Sequence, residues 1–134
     1  MKIESNKEIV HYSSKKIFDF VGDFTNFEAL LPKEKIENFT CTSESCSFRI
    51  KGMVDLGLEI KEKDDPSRIR MKSTGDKPFP FYMDIIIQSI DENSSEVHID
   101  FEGEINPFMK MMVEKPLTNF FNILMARLSE LKLD

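Results

Sequence analysis

NPFMKMMVEKPLTNFFNILMARLSELKLD, residues 106–134, closes the chain. Asn106 has the side chain of a helix N-cap, and Pro107 suits the first helical position, where a missing N–H costs nothing. Val113, Leu117, Phe120, Leu124, Leu128 and Leu131 recur at spacings of three and four and form one apolar stripe. Met109, Met112, Phe121 and Met125 widen it. The spacing predicts a single helix of about 26 residues, ~39 Å long if straight. Pro116 removes the hydrogen bond to the Met112 carbonyl and should kink the helix there. A helix this long, apolar on one side, needs a broad apolar surface to lie on.

Residues 36–105 supply that surface, because their period is two. Phe39 and Cys41 share a face, as do Cys46, Phe48 and Ile50 after the turn at Ser43–Ser45. Val54, Leu56, Leu58 and Ile60 alternate with Asp55, Gly57, Glu59 and Lys61. Beyond the turn Asp64-Asp65-Pro66-Ser67, Ile69 and Met71 alternate with Arg68, Arg70 and Lys72. The stretch GDKPFP, residues 75–80, reads as a loop at the rim of the fold. Phe81, Met83, Ile85 and Ile87 then share a face, and Val97, Ile99, Phe101 and Ile105 alternate with His98, Asp100, Glu102 and Glu104. Pairing Ile87 with Ile99 and Ile85 with Phe101 puts every large apolar residue of the last hairpin on one side. It also sets Asp84 opposite Glu102 and Gln88 opposite His98. A slip of one residue would scatter them. The expectation is about six antiparallel strands with one apolar and one charged face.

Ahead of the strands, residues 2–12 read as one further strand. SSKKIFDFVGD follows, with Ile17, Phe18, Phe20 and Val21 at helical spacing, Ser13 or Ser14 as N-cap and Gly22 as stop. Thr25 and Glu28 have capping-box spacing and open a second short helix that runs to Leu31 and ends at Pro32.

The order strand, two short helices, about six strands and one long helix resembles the helix-grip fold of the START-related superfamily, also called SRPBCC. Two stretches carry the resemblance, SSKKIFDFVGDFTNFEALLP and NPFMKMMVEKPLTNFFNILMARL, and it covers essentially the whole chain as one domain over residues 1–134. It implies an α+β architecture: a curved antiparallel sheet of about seven strands (β-α-α-β6-α) wrapped around the C-terminal helix, often with a cavity between them. Relatives of that kind include polyketide cyclases and pollen-allergen-like proteins. The function expected is binding of a small hydrophobic ligand, a lipid, an isoprenoid or a polyketide-like molecule. The residues expected to line the cavity are Phe48, Leu58, Met71, Phe81, Met83, Ile85, Phe101, Met109, Met112, Val113, Leu117 and Phe120. Methionine suits a wall that must re-pack around variable apolar shapes. The alternatives are an enzyme of the cyclase or dehydratase kind and a co-chaperone-like module with a filled core and a protein partner.

Composition narrows the function classes. The chain has 134 residues and a formal net charge of −6. A chain this long can bury roughly two-thirds of its unfolded surface without disulfide or metal support. Phosphate recognition needs clustered Lys and Arg, so a nucleic-acid partner is not expected. No stretch approaches 18 consecutive apolar residues, so no integral membrane association is expected. MKIESNKEIV lacks the apolar segment of a signal peptide, and a cytoplasmic protein is expected. A homodimer or a protein partner remains open. On the inner face, alternation leaves Cys46, Ser73 and Ser89 as the polar exceptions, none with a base beside it, so no catalytic residue is assigned. Asp84, His98, Asp100 and Glu102 fall on the opposite face and read as a solvated charged surface. No metal or cofactor is expected. His11 and Tyr12 sit where one could face the cavity mouth, Tyr82 reads as an outer or mouth residue, and Arg127 reads as a solvent residue near the helix end. Cys41 and Cys46 would face each other in a tight hairpin, within reach of a disulfide, but are expected to stay reduced as strand residues.

Overall fold

In the computed structural model, which describes residues 1–75 and 79–133, the chain begins with β1 (Lys2–Glu4), β2 (Glu8–Val10) and α1 (Ser14–Val21). Two 3-10 helices follow (Phe24–Ala29 and Lys33–Lys35). Then come β3 (Ile36–Cys41), β4 (Ser45–Ile50), β5 (Asp55–Asp64), β6 (Arg68–Ser73), β7 (Phe81–Asp91), β8 (Ser94–Gly103) and α2 (Pro107–Glu130). All strands join one antiparallel sheet in the order β1-β8-β7-β6-β5-β4-β3, with β2 also on β8. This is the α+β helix-grip arrangement. The GDKPFP loop falls in part on residues 76–78, outside the described residues; its Phe79 is buried against Phe81 and Phe101.

The first strand departs from its expected continuity. It is two short strands, because Ser5 diverts the ladder. Ile99 donates its backbone N–H to the Ser5 hydroxyl (2.7 Å), and that hydroxyl donates to the Asn6 carbonyl (3.0 Å). A serine hydroxyl offers the backbone this alternative where a valine or isoleucine could not. Ser5 is itself buried, so the bond it accepts from Ile99 lies inside the fold.

The helical starts follow their local chemistry. Ser13 caps α1 by accepting from the Lys16 N–H, and the Gly22 N–H closes it on the Phe18 carbonyl. The second short helix differs from expectation. It is a 3-10 helix capped by Asp23, whose carboxylate accepts from the Thr25 N–H and hydroxyl, so Thr25 is capped rather than capping. Asn106 caps α2 by accepting from the Met109 N–H (2.8 Å). The helical run is unbroken across Pro116, which sits on its exposed side.

Inward and outward faces follow the period of two, but the register of the last hairpin is two residues from the expected one. Ile85 pairs with Ile99, Ile87 with Val97 and Met83 with Phe101, which brings Asp84 opposite Asp100 and Ile86 opposite His98. The turn Glu92-Asn93 starts the hairpin at Asp91↔Ser94, one residue out of phase. A bulge leaves Ile90 without a partner and restores the apolar faces. A slip of two keeps every side chain on its face, so alternation alone cannot detect it. Further irregularities interrupt β3 at Asn38 (φ 57°) and β5 near Lys61. Such bulges bend the strand and increase its local twist. Past Ile87, β7 runs beyond the core and Ser89 is exposed, contrary to its inward assignment.

Two close contacts give measurable expectations. An ideal Cβ on Gly103 would lie 2.7 Å from the Phe79 ring, which is held against Phe81 and Phe101. Gly103→Ala should lower unfolding stability by about 1–3 kcal/mol through overpacking. An unchanged urea midpoint would mean that Phe79 yields freely. Ser5→Ala should cost a similar amount, about 1–3 kcal/mol, by stranding the Ile99 N–H in the core. Amide exchange of Ile99 should then rise well above that of Ile85, and equal protection in the variant would count against the diverted ladder.

Candidate functional site

The apolar face of the sheet and the stripe of α2 meet along a seam of aromatic rings. The α2 backbone packs most closely on β2, β8 and β1, at one end of the sheet. Toward the middle, large side chains span the remaining distance. Phe48 of β4 lies against Phe120 of α2 (centroids 5.7 Å), Phe120 against Phe121 (6.3 Å) and Phe121 against Phe101 of β8 (5.3 Å). Phe101 stacks on Phe81 of β7 (5.0 Å, 30°). Phe24 and Phe27 of the first 3-10 helix meet edge to face at 4.8 Å.

This seam encloses a void of about 10 Å³, lined by Phe27, Phe48, Leu56, Leu58, Phe81, Met83, Phe101, Phe120, Phe121 and Leu124. That is about the space of one water molecule, and its walls offer no hydrogen-bonding side chain. Of the residues expected to line a cavity, Phe48, Leu58, Phe81, Met83, Phe101 and Phe120 border this void. Met71, Ile85, Val113 and Leu117 are buried in the surrounding core, and Met109 packs half-buried at its edge. Met112 is 61% exposed and does not reach the interior. The helix phase set by Val113, Leu117 and Phe120 turns Met112 outward. Phe108 (74%) and Met111 (85%) are exposed beside it in sequence. Phe27, Leu56, Phe121 and Leu124 also border the void. Leu56 and Phe121 were already legible as inward positions, whereas Phe27 depends on how the 3-10 helix docks.

A second feature adjoins the seam. An open groove of about 400 Å³ runs between Pro116, Asn119, Phe120 and Ile123 of α2 and Glu34, Lys35, Ile50 and Lys51. Phe120 borders both this groove and the interior void. Phe120 is thus the residue that the groove and the seam share.

The inner face carries little chemistry. The buried Ser73 hydroxyl accepts from the Phe81 N–H (3.0 Å). Burial pushes the Cys46 thiol up to about 12, so it is a poor nucleophile at neutral pH. Tyr12, half-buried, accepts through its hydroxyl from the Leu133 N–H (2.9 Å) and so ties down the chain end. His11 is exposed. Arg127, exposed, reaches back to the Ala29 carbonyl (3.3 Å).

Charged residues gather on the outer face, around a cleft of about 500 Å³ lined by Lys2, Glu4, Arg70, Tyr82, Asp84, Asp100 and Glu102 among others. The Arg70 guanidinium lies over the Tyr82 ring at 4.2 Å and bonds one Asp84 oxygen at 3.1 Å. Burial raises the Asp84 carboxyl above its ordinary range, against the opposing pull of Arg70 and Arg68. The other Asp84 oxygen is buried without a hydrogen-bond partner. Among the described residues, Glu4, His98 and Asp100 place ligand atoms within 4.8 Å of one another. Their donor types suit a borderline divalent ion. Glu4 and Asp100 are exposed, and Lys7 lies 3.9 Å from Glu4.

No known family profile matches this sequence, and no curated protein is significantly similar to it. Solved structures are similar across nearly its full length. A START superfamily protein from Mycobacterium smegmatis superposes with a TM-score of 0.69 at 14% identity, covering 98% of this chain and 99% of that one. A truncated norcoclaurine synthase from Thalictrum flavum gives 0.72 at 15% identity, covering 97% and 91%. The di-domain ARO/CYC protein BexL, from the BE-7585A biosynthetic pathway, gives 0.74 at 12% identity over 97% of this chain and 45% of that one. No helix among the described residues is long and apolar enough to cross a membrane. Strand order, short helices after the first strands and a covering C-terminal helix together give this chain a helix-grip fold, the fold it shares with the START superfamily protein.

Proposed function

We propose that the chain, acting as one domain over residues 1–134, binds a small apolar molecule in the seam between sheet and α2. The carrying observation is Phe120, whose ring borders the outer groove on one side and the apolar void on the other. Rotation of that one ring would join about 400 Å³ of groove to the interior. Six of the ten residues around the void are phenylalanines, which carry much volume on two torsions and can re-stack without breaking backbone hydrogen bonds. A lipid, an isoprenoid or a polyketide-like molecule fits such a wall. The START-superfamily, norcoclaurine synthase and ARO/CYC neighbours are consistent with a small organic ligand. Binding is favoured over catalysis because the inward Ser73 hydroxyl is already bonded to the Phe81 backbone N–H. A second reading, a protein-binding module with a filled core, is favoured by the exposed Phe108, Met111 and Met112.

Native mass spectrometry with organic extraction, then thermal shift against fatty acids and isoprenoid alcohols, separates the two. The expected result is a co-purified apolar molecule, or an upward Tm shift that grows with ligand concentration. Phe120→Ala should take up a fluorescent fatty acid about tenfold faster or more. Met112→Trp, on the outside, should leave uptake unchanged. A clean apo mass together with no shift in the wild type or in Phe120→Ala would overturn the binding reading and favour the protein partner.

A further inference from the structure

We infer that Cys41 and Cys46 form a modification site, a dithiol that closes to a disulfide by exchange with a small-molecule disulfide. Closure releases the 3-10 helix Phe24–Ala29 from the β3–β4 hairpin. The inference does not rest on ligand binding in the seam.

Register carries the first half. Cys41 and Cys46 are direct partners across β3 and β4, next to the two-residue turn Ser43-Glu44. Thr42 donates its N–H to the Ser45 carbonyl at 2.8 Å, so Thr42 and Ser45 are a hydrogen-bonded pair. The adjacent pair, Cys41 with Cys46, must then be non-hydrogen-bonded. In such pairs the Cα atoms lie about 4.5 Å apart and the side chains approach closest. That separation falls within the range a disulfide spans. Both cysteines are free, and each perturbs the other's ionisation. A surface cleft of about 330 Å³ beside Thr42, Ser45 and Thr74 reaches both of them. Cys41 is the more exposed and Cys46 is 4% exposed, so Cys41 meets the reagent and Cys46 resolves.

Hydrogen bonding carries the second half. The Cys41 thiol donates to the Phe24 carbonyl at 3.3 Å, and Phe24 donates its N–H to the Ser43 carbonyl at 3.0 Å. These bonds pin the start of the 3-10 helix to the hairpin. A disulfide sulfur has no hydrogen, so closure abolishes the first of them and draws the sulfur toward Cys46. Phe27, one turn on, borders the interior void. The bridge spans only the four residues between the cysteines, so its effect on the unfolded chain is small and its consequence is local.

The exchange balances as follows. The Cys41 thiolate attacks one sulfur of the small disulfide, the S–S bond breaks, and one thiol leaves with a proton. The Cys46 thiolate attacks the Cys41 sulfur and expels the second thiol. Protein is oxidised by two electrons and reagent is reduced by two. Burial raises both thiols, so exchange is slow at neutral pH and quickens in mild base. Glu28 and Asp23 add negative charge near Cys41, which favours a cationic disulfide over an anionic one.

The test incubates the folded protein with cystamine in mild base and reads intact mass and amide exchange. The wild type should lose two hydrogen atoms in mass without a lasting adduct, and dithiothreitol should restore them. Cys46→Ser should stop at the mixed disulfide on Cys41. In the oxidised wild type, exchange across residues 24–30 should rise several-fold while β7 and β8 stay protected. A persistent adduct on the wild type would overturn the pair. A disulfide that leaves residues 24–30 unchanged would overturn the coupling. Both readouts use the wild type alone, so they stand even if Cys46→Ser folds poorly.

Discussion

The fold depends on covering one broad apolar sheet face with one helix that touches it closely at only one end. The α2 backbone approaches β2, β8 and β1, while β4 is reached through Phe48 and β7 through Phe81, which stacks on Phe101. Those rings run in a chain from Phe48 through Phe120 and Phe121 to Phe101 and Phe81. Aromatic contacts at such distances add roughly 0.5–1.5 kcal/mol each beyond the area they bury. The chain of rings thus fixes the distance between helix and sheet. It also explains the composition, twelve phenylalanines in a chain without tryptophan.

Legibility in the sequence followed the physics of each signal. The period of two assigned the apolar faces from Cys46 through Phe101, failing at Ser89 where β7 outruns the core, because burial of one face penalises any odd slip. It could not assign register, because a shift of two is silent to it. The bulge at Ile90 is what sets the pairing, and no composition rule marks it. The first strand broke where the small polar side chain of Ser5 outcompeted the backbone for the Ile99 N–H. Thr25 and Glu28 had the spacing of a capping box, but Asp23 stood two residues ahead and its carboxylate reached Thr25 first. Met112 lies three residues from Met109, a spacing that fits the edge of the stripe. The helix phase, fixed by Val113, Leu117 and Phe120, excluded it.

The seam was legible as a set of residues and not as a volume. Six expected residues border the void, yet the void holds about 10 Å³. Volume depends on which rotamers the rings adopt together, and a sequence pattern carries no rotamers. Chemistry was better defined, because it depends on residue types. Among the described residues the buried hydroxyls of Ser5, Ser14, Ser73 and Ser95 are all engaged in hydrogen bonds, and the Cys46 thiol is held protonated by burial.

A closed seam also constrains what could enter it. Each ring that swings out gives up the burial of a large apolar side chain, about 1.5–3 kcal/mol. With 1.4 kcal/mol per tenfold in affinity, one displaced ring costs an entering molecule about one to two decades. A ligand no larger than a phenyl group would gain nothing by the exchange. A longer apolar chain would, because it could fill the seam and also lie along the groove beside Pro116 and Ile123 that the displaced ring had bordered. The same reasoning gives the two ends of the void different characters. Phe120 is held by a tilted contact with Phe48 and borders a groove, so it moves at the cost of its own burial. Phe27 rides on a 3-10 helix tied to the hairpin through Phe24, so its position answers to the Cys41 thiol and the Ser43 carbonyl. Selectivity for size would therefore reside in the ring at the groove, and the resting volume of the seam in the short helix at its other end.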